Sequence, residues 1–200
     1  MIYKYIEKNK DNLIILFHGT GGDENSLITL ASYIDDNASV LGIRGNVNEH
    51  GMNRYFKRIR PGVFDELNLL EETKKIKIFI DDFVNNHNYK LKNIIMIGYS
   101  NGANIIGSLL YLFGKISKGV CLMHLMIPLQ NVTPKDLCNI NILITSGISD
   151  QLVSGDETNK LFEIFKNNNG NIDITKYNNG HQISQKEIDD IKNWYINILN

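Results

Sequence analysis

The stretch Asn93-Ile94-Ile95-Met96-Ile97-Gly98-Tyr99-Ser100-Asn101-Gly102 decides the fold of this chain. It joins an apolar run of strand length to the pattern G-x-S-x-G, and the residues from Ala103 to Leu112 then read as a helix. In such a nucleophile elbow the serine sits on a tight, strained turn, and the flanking glycines avoid Cβ clashes where strand and helix cross. The sequence therefore predicts that Ser100 is a nucleophile at the N-terminus of a helix, whose amides face it.

A glycine-rich segment follows a second apolar run, Leu13–Phe17, and reads His18-Gly19-Thr20-Gly21-Gly22-Asp23-Glu24. The strand–elbow–helix unit belongs to the α/β-hydrolase fold, in which such a loop supplies one backbone N–H of the oxyanion hole. The residue after the nucleophile supplies the other. The expected donors are therefore the amides of Thr20 and Asn101. The segment lacks the third glycine of a dinucleotide fingerprint and the Gly-Lys-Ser/Thr ending of a phosphate-binding P-loop.

A nucleophilic serine needs a base, and the base needs an acid that orients it. The fold places these residues in the chain order Ser, Asp or Glu, His, each on a loop after a strand. Among the five histidines only His124 and His181 follow Ser100, and His181 lies between the last strand-like run and the last helical one. Asp150 follows the preceding run, Ile142–Ser146, whereas Asp156 suits the N-cap of the next helix. The predicted triad is Ser100, Asp150 and His181.

These motifs carry a resemblance to a known family. The segments "FHGTGGDE", "IRGNVNEHGMNRYFKRIRPGVFDE", "IGYSNGANI", "GISD" and "GHQIS" together resemble the carboxylesterase/phospholipase branch of the α/β-hydrolases. The chain is similar to small bacterial hydrolases linked to quinone stress and, more distantly, to acyl-protein thioesterases. The resemblance runs from about Leu13 to Ile198 and implies serine hydrolase chemistry on an ester or thioester. It departs where His-Pro is expected, since this chain has His124-Leu125, which implies a different wall of the acyl pocket.

Length and composition exclude several functional classes. The 200 residues, with 42% hydrophobic residues and a net charge of −1, are typical of one globular domain covering residues 1–200. The charge gives no reason to expect a nucleic-acid or membrane partner, and no run is apolar over the length of a membrane span. The N-terminal residues lack a signal-peptide pattern, and two cysteines fit a reducing compartment with buried thiols. We expect a cytoplasmic protein that needs no cofactor and holds no metal.

Strand-like and helical runs alternate along the chain, which predicts a mostly parallel twisted sheet with helices on both faces. The first short run is expected to be an antiparallel hairpin partner at the edge. Strands are predicted near Ile2–Glu7, Leu13–Phe17, Ala38–Ile43, Asn93–Ile97, Lys118–Leu122, Asn141–Ser146 and Ile172–Tyr177. Helices are predicted near Ser26–Ile34, Leu69–Asn86, Ala103–Phe113, Asp156–Lys166 and Gln185–Leu199. The segment from Met123 to Cys138 is too short for a cap domain.

The long connection from Arg44 to Asp65 is rich in glycine, arginine and aromatic residues. Long loops in compact domains are usually functional or disordered, so without a cap domain the site is expected to be open or shaded by this loop. Arg44, directly after a strand, is the candidate for binding an anionic substrate group, but an ion pair with Asp23 or Glu24 explains it equally well. Candidates for the acyl-site wall, or alternatively for core and structural positions, are Met52, Tyr55, Phe56 and His124.

The function predicted from the sequence is hydrolysis of a small carboxylic ester through a serine-bound acyl-enzyme. Thioesterase or lysophospholipase activity on the same machinery is the alternative among enzymes. A non-catalytic scaffold that binds a small ligand is the alternative from another class. A homodimer is compatible with this interpretation.

Overall fold

The computed structural model describes residues 1–199, except for the side chains of residues 9 and 10. Eleven strands, five α-helices and one short 3₁₀ helix (Leu91–Asn93) are assigned in this part of the chain. The strands are β1 (Tyr3–Ile6), β2 (Asn9–Phe17), β3 (Ala38–Ile43), β4 (Val47–Glu49), β5 (Met52–Arg54), β6 (Arg58–Arg60), β7 (Val63–Phe64), β8 (Ile94–Tyr99), β9 (Gly119–Met123), β10 (Asn141–Gly147) and β11 (Asn171–Tyr177). The helices are α1 (Ile28–Ile34), α2 (Glu66–Asn86), α3 (Asn101–Phe113), α4 (Gly155–Asn167) and α5 (Gln185–Leu199).

Seven strands form the central sheet in the order β1-β3-β2-β8-β9-β10-β11. All neighbours from β3 to β11 are parallel, and their central strands are apolar on both faces, because helices cover both sides. One core lies under α2, α3 and α4, and the other under α1 and α5. This confirms the predicted α/β-hydrolase fold. Within residues 1–199, the segment between β9 and β10 contains no helix, so there is no cap domain over the sheet.

The first strand departs from the predicted pairing. β1 lies at the sheet edge and is antiparallel, as expected, but it pairs with β3 and not with the strand that follows it. The reason is that β3 lies outside β2 in the sheet, so the edge that is available to β1 belongs to β3. The two cysteines also differ, because Cys121 is buried in β9 whereas Cys138 is exposed.

The order of strands places the functional loops next to each other. From β2 the chain passes outward to β3, and it later returns to β8 on the other side of β2. In an open parallel sheet, ligands bind at such a reversal, beyond the carboxyl ends of the strands. The glycine-rich loop after β2 and Ser100 after β8 therefore border the same crevice.

The connection after β3 forms two small antiparallel hairpins. β4 and β5 are joined by His50 and Gly51, which both have positive φ, and β6 and β7 by Pro61 and Gly62, with Gly62 at φ 76°. Both turns use residues that tolerate these conformations. Within residues 1–199, no helix is both long enough and apolar enough to cross a membrane.

Candidate active site

Ser100 has the backbone geometry of a strained turn. Its φ of 51° and ψ of −111° lie outside the regions that a residue with a side chain prefers, and its amide donates to the Met123 carbonyl at 2.8 Å. The glycines on either side permit this turn. A Cβ on Gly98 would lie 2.6 Å from the Gly102 carbonyl oxygen, and one on Gly102 would lie 2.1 Å from the Phe17 carbonyl oxygen. β8, α3 and β2 can therefore meet only without these side chains.

The structure brings Ser100, His181 and Asp150 into one hydrogen-bonded chain. His181 Nε2 lies 2.9 Å from Ser100 Oγ, and His181 Nδ1 lies 2.7 Å from Asp150 Oδ2. Asp150 and His181 stand on the loops that follow β10 and β11, which are neighbouring parallel strands. Tyr99 fixes the histidine loop further, because its hydroxyl donates to the His181 carbonyl at 2.7 Å.

Asp150 is held as a carboxylate by four donors. Its Oδ1 accepts from the amides of Leu152 and Val153 at 2.8 and 3.1 Å, while Oδ2 accepts from the two imidazoles of His124 and His181. Burial by itself would raise the pKa of Asp150, but the hydrogen bonds from the two histidines and the two amides lower it overall. The alternative acid, Asp156, is exposed in the first turn of α4, whose N-cap is Ser154.

His124 is a second histidine on the same carboxylate. Its fully buried imidazole has Nδ1 2.8 Å from Asp150 Oδ2, and its Nε2 lies 3.6 Å from Glu187 Oε1, an ion-pair distance. Glu187 is itself fully buried and accepts a hydrogen bond from Thr145 at 2.6 Å. Burial alone would lower the pKa of His124, but the carboxylates of Glu187 and Asp150 raise it overall.

Ligand atoms of His124, Asp150 and His181 lie within 4.8 Å of one another, close enough to be considered for a metal ion. Both Nδ1 atoms, however, point to the same carboxylate oxygen at hydrogen-bond distance. Hydrogen bonding therefore accounts for this cluster.

The two expected oxyanion donors border one cavity. Thr20 and Asn101 both line it, and Asn101 is the first residue of α3, where backbone amides have no partner within the helix. The Asn101 side chain accepts from the Tyr55 amide at 2.7 Å, which ties this helix end to the segment after β5. His18 is a structural residue, since its Nδ1 bonds to the Gly19 carbonyl and its Nε2 accepts from the Gly45 amide.

A cavity of about 90 Å³ opens above Ser100. Its wall combines the elbow, the glycine-rich loop, the two hairpins and the loops after β9, β10 and β11. The lining residues are Thr20, Arg54, Arg58, Pro61, Gly62, Phe64, Ser100, Asn101, Asn104, His124, Met126, Leu152 and His181. The long connection after β3 thus forms one side of the site.

Of the five substrate-binding candidates, only His124 lies in the cavity wall. Arg44 is bound to Glu24, with Nη2 2.8 Å from Oε1, because it leaves β3 toward that carboxylate. Tyr55 and Phe56 are fully buried in the core, and Met52 is exposed in β5 beside Gly21. Arg44, Tyr55 and Phe56 thus take the ion-pair and core positions that the sequence left open as alternatives, and Met52 lies on the surface.

Sequence reasoning missed other residues of the wall. Arg54 and Arg58 belong to the same basic run as Arg44, but nothing in the sequence distinguishes which guanidinium faces the site. Met126 and Leu152 each follow closely after a strand that ends at this edge, and Met126 also lies in the segment after β9 for which the sequence predicts a different pocket wall. That position relative to a strand end is a signal that could have identified them.

Comparison with known proteins identifies relatives over almost the whole chain. The sequence model of a family described as phospholipase/carboxylesterase matches residues 4–200. A putative hydrolase of Bacillus subtilis strain 168, MhqD, is 37% identical over 195 residues, which cover 98% of both chains.

Solved structures of other proteins are also similar to this chain over almost its whole length. A Bacillus cereus carboxylesterase superposes with a TM-score of 0.94 at 37% identity, covering 98% of this chain and 93% of the other. A structure of YahD with malic acid superposes with a TM-score of 0.92 at 29% identity, covering 98% of each chain.

Proposed function

Because the chain belongs to the phospholipase/carboxylesterase family and is a carboxylesterase-like hydrolase, we propose that it cleaves esters through an acyl-enzyme on Ser100. His181 Nε2 removes the hydroxyl proton as Ser100 Oγ attacks the ester carbonyl. The amides of Thr20 and Asn101 hold the oxyanion of the tetrahedral intermediate. Asp150 keeps His181 in the tautomer with a proton on Nδ1 and stabilises the imidazolium that forms.

The reaction then proceeds through acylation of Ser100 and hydrolysis of the acyl-enzyme. His181 returns the proton to the alkoxide of the leaving alcohol as the ester C–O bond breaks, which leaves the acyl group on Ser100. His181 next removes a proton from water, whose oxygen forms the new bond to the acyl carbon. His181 passes this proton to Ser100 Oγ as the bond between Oγ and the acyl carbon breaks, which releases the acid and restores the free serine.

One observation carries this proposal: the continuous hydrogen-bonded chain from Ser100 Oγ through His181 to Asp150 at the cavity. A hydrogen bond of 2.9 Å between nucleophile and base lies within the reach that proton transfer requires. The strained backbone of Ser100 also supports a functional role, since strain of this kind collects at active sites.

A short acyl group fits the site better than a long chain. The cavity is small, and four of its lining residues are apolar: Pro61, Phe64, Met126 and Leu152. Since Leu152 is 58% exposed, this part of the wall opens to solvent rather than into a deep apolar channel.

The test combines covalent labelling with one variant. We expect a fluorophosphonate probe to label the wild-type protein and not the Ser100→Ala variant. That variant should lose about a millionfold in kcat on p-nitrophenyl acetate, as loss of a triad nucleophile does elsewhere. A wild-type protein that is folded but resists labelling would instead favour the non-catalytic scaffold.

A further inference from the structure

Arg54 carries a buried positive charge into the cavity wall. Its side chain is only 5% exposed, yet it lines the same cavity as Ser100. Nη1 donates to Thr20 Oγ1 at 2.8 Å, and Nε donates to the Phe56 carbonyl at 3.3 Å. Within the part of the chain that the structure describes, Nη2 has no hydrogen-bond acceptor. A guanidinium in this position retains donors for a ligand.

The charge around Arg54 is not balanced by the protein. Arg58 lines the same cavity, and both arginines share one carboxylate, that of Glu49, at 3.3 Å and 3.6 Å. One positive charge at the cavity therefore remains unmatched. Burial lowers the pKa of Arg54, and the neighbouring Arg58 lowers it further against the opposing effect of Glu49. Binding an anion would relieve both costs.

We propose that Arg54 and Arg58 form a carboxylate-binding subsite beside Ser100, so that the preferred ester substrate carries a carboxylate group. This inference rests on the proposed esterase function and specifies its substrate class. A carboxylate suits the subsite because guanidinium groups bind it through paired hydrogen bonds. Its single negative charge also equals the unmatched charge, whereas a phosphate dianion would exceed it.

The subsite lies close to the reacting carbonyl. Arg54 is hydrogen-bonded to the side chain of Thr20, whose backbone amide is a proposed oxyanion donor. Thr20 therefore links the carboxylate subsite to the oxyanion hole. A bound carboxylate and the ester carbonyl must therefore be separated by a short spacer. A monoester of a short dicarboxylic acid, such as ethyl hydrogen succinate, meets this requirement. Attack by Ser100 forms a succinyl-enzyme and releases ethanol, and water then releases succinate from Ser100.

The experiment compares charged and neutral esters of one shape. We would measure kcat/KM for ethyl hydrogen succinate and diethyl succinate with the wild-type protein and with the Arg58→Gln variant. Arg58 is the better first test because its side chain is 34% exposed and, among the residues that the structure describes, it forms an ion pair only with Glu49, at the long distance of 3.6 Å. We expect Arg58→Gln to lower kcat/KM on the charged ester about tenfold more than kcat/KM on the neutral ester.

A matched control removes the same charge outside the cavity. Arg60 is exposed in the same hairpin and does not line the site, so Arg60→Gln should leave the ratio of the two rates unchanged. If Arg60→Gln lowers the ratio as much as Arg58→Gln, the effect is general attraction of the loop charges and the subsite is refuted. Equal loss on both esters in Arg58→Gln refutes it as well.

A second pair of esters locates the carboxylate on the substrate. Acetoxyacetate and its methyl ester carry the charge difference on the leaving group instead of the acyl group. If Arg58→Gln loses the preference for the charged ester only with the succinate pair, the carboxylate lies on the acyl side of the substrate. Loss with the acetoxyacetate pair alone places it on the alcohol side, and either result supports the subsite.

Binding to an inactive variant separates this inference from the proposed function. In Ser100→Ala, ethyl hydrogen succinate should bind more tightly than diethyl succinate by calorimetry, and adding Arg58→Gln should remove the difference. If the wild-type protein hydrolyses no ester, the proposed function fails while this measurement still tests the subsite. If esters are hydrolysed and neither the rates nor the binding depend on Arg58, the subsite alone fails.

Discussion

Replacing Asp150 by asparagine tests the proposed catalytic chain most directly. All four hydrogen bonds to Asp150 have its oxygens as acceptors: two from the amides of Leu152 and Val153, and two from the Nδ1 atoms of His124 and His181. An asparagine has one acceptor oxygen and one NH2 group. In either orientation, the NH2 group therefore meets a pair of donors.

The orientation of the asparagine side chain that costs less free energy is also the one that prevents His181 from acting as a base. Backbone amides cannot change their role, and facing two of them with an NH2 group leaves buried donors unsatisfied at about 1–3 kcal/mol each. An imidazole can move its proton to the other nitrogen. We therefore expect the NH2 group to face His181 Nδ1, which places the proton on Nε2 and prevents removal of the Ser100 proton. The resulting loss in kcat is about 10⁴-fold, or roughly 5 kcal/mol of transition-state stabilisation.

The loss in kcat is measured by steady-state hydrolysis of p-nitrophenyl acetate with the Asp150→Asn variant. KM should change little, because Asp150 does not line the cavity. Asp156→Asn is the matched control, since Asp156 is exposed on α4 and should leave kcat within twofold. Retention of more than about 1% of the wild-type kcat would refute the tautomer argument, whose expected loss is about 10⁴-fold. A severe loss in Asp156→Asn would show that the acid stands on the next element.

Three further outcomes are expected. Gly102→Ala should abolish labelling by fluorophosphonate and lower the melting temperature, because the new Cβ would lie 2.1 Å from the Phe17 carbonyl oxygen; normal labelling would contradict the elbow geometry. Arg44→Ala should lower the melting temperature by breaking the pair with Glu24 and leave the ratio of rates on charged and neutral esters unchanged; a changed ratio would restore Arg44 to the substrate site. Because the pKa of His124 is raised in the folded protein, protonation of His124 stabilises the fold. This contribution is fully present below the pKa of an unfolded histidine, about 6.5, and it is lost as pH rises through the folded pKa. The stability difference between wild type and His124→Gln, from urea unfolding, should therefore be larger at pH 6 than at pH 9, and a constant difference would mean that His124 does not titrate in this way.

Much of the fold was predictable because its signals are local. Apolar runs of strand length alternate with amphipathic stretches, so element order and type follow from residues close in sequence. Two elements, Ala38–Ile43 and Gln185–Leu199, have the predicted bounds, and the other predicted elements differ by one to four residues at one or both ends. The elbow is local as well, since the turn at Ser100 depends on Gly98 and Gly102 within the same motif. The pairing of β1 was not predictable in this way, because it depends on which strand borders the sheet edge.

The tertiary structure alone decided which side chains face one another across the site. The chain order placed Ser100, Asp150 and His181 on successive loops, but the sharing of Asp150 between His124 and His181 depends on how three parallel strands end side by side.

The arginines give the same contrast between local and distant determinants. The sequence shows several arginines after β3, and the position of Arg44 directly after that strand favours it as the anion-binding residue. Two hairpins instead turn Arg54 and Arg58 toward the cavity and leave Arg44 against Glu24. The direction of a side chain on a short hairpin depends on how the hairpin packs against distant loops. Sequence by itself therefore determined the scaffold and the position of Ser100 at the elbow, whereas packing between distant segments determined which charges face it.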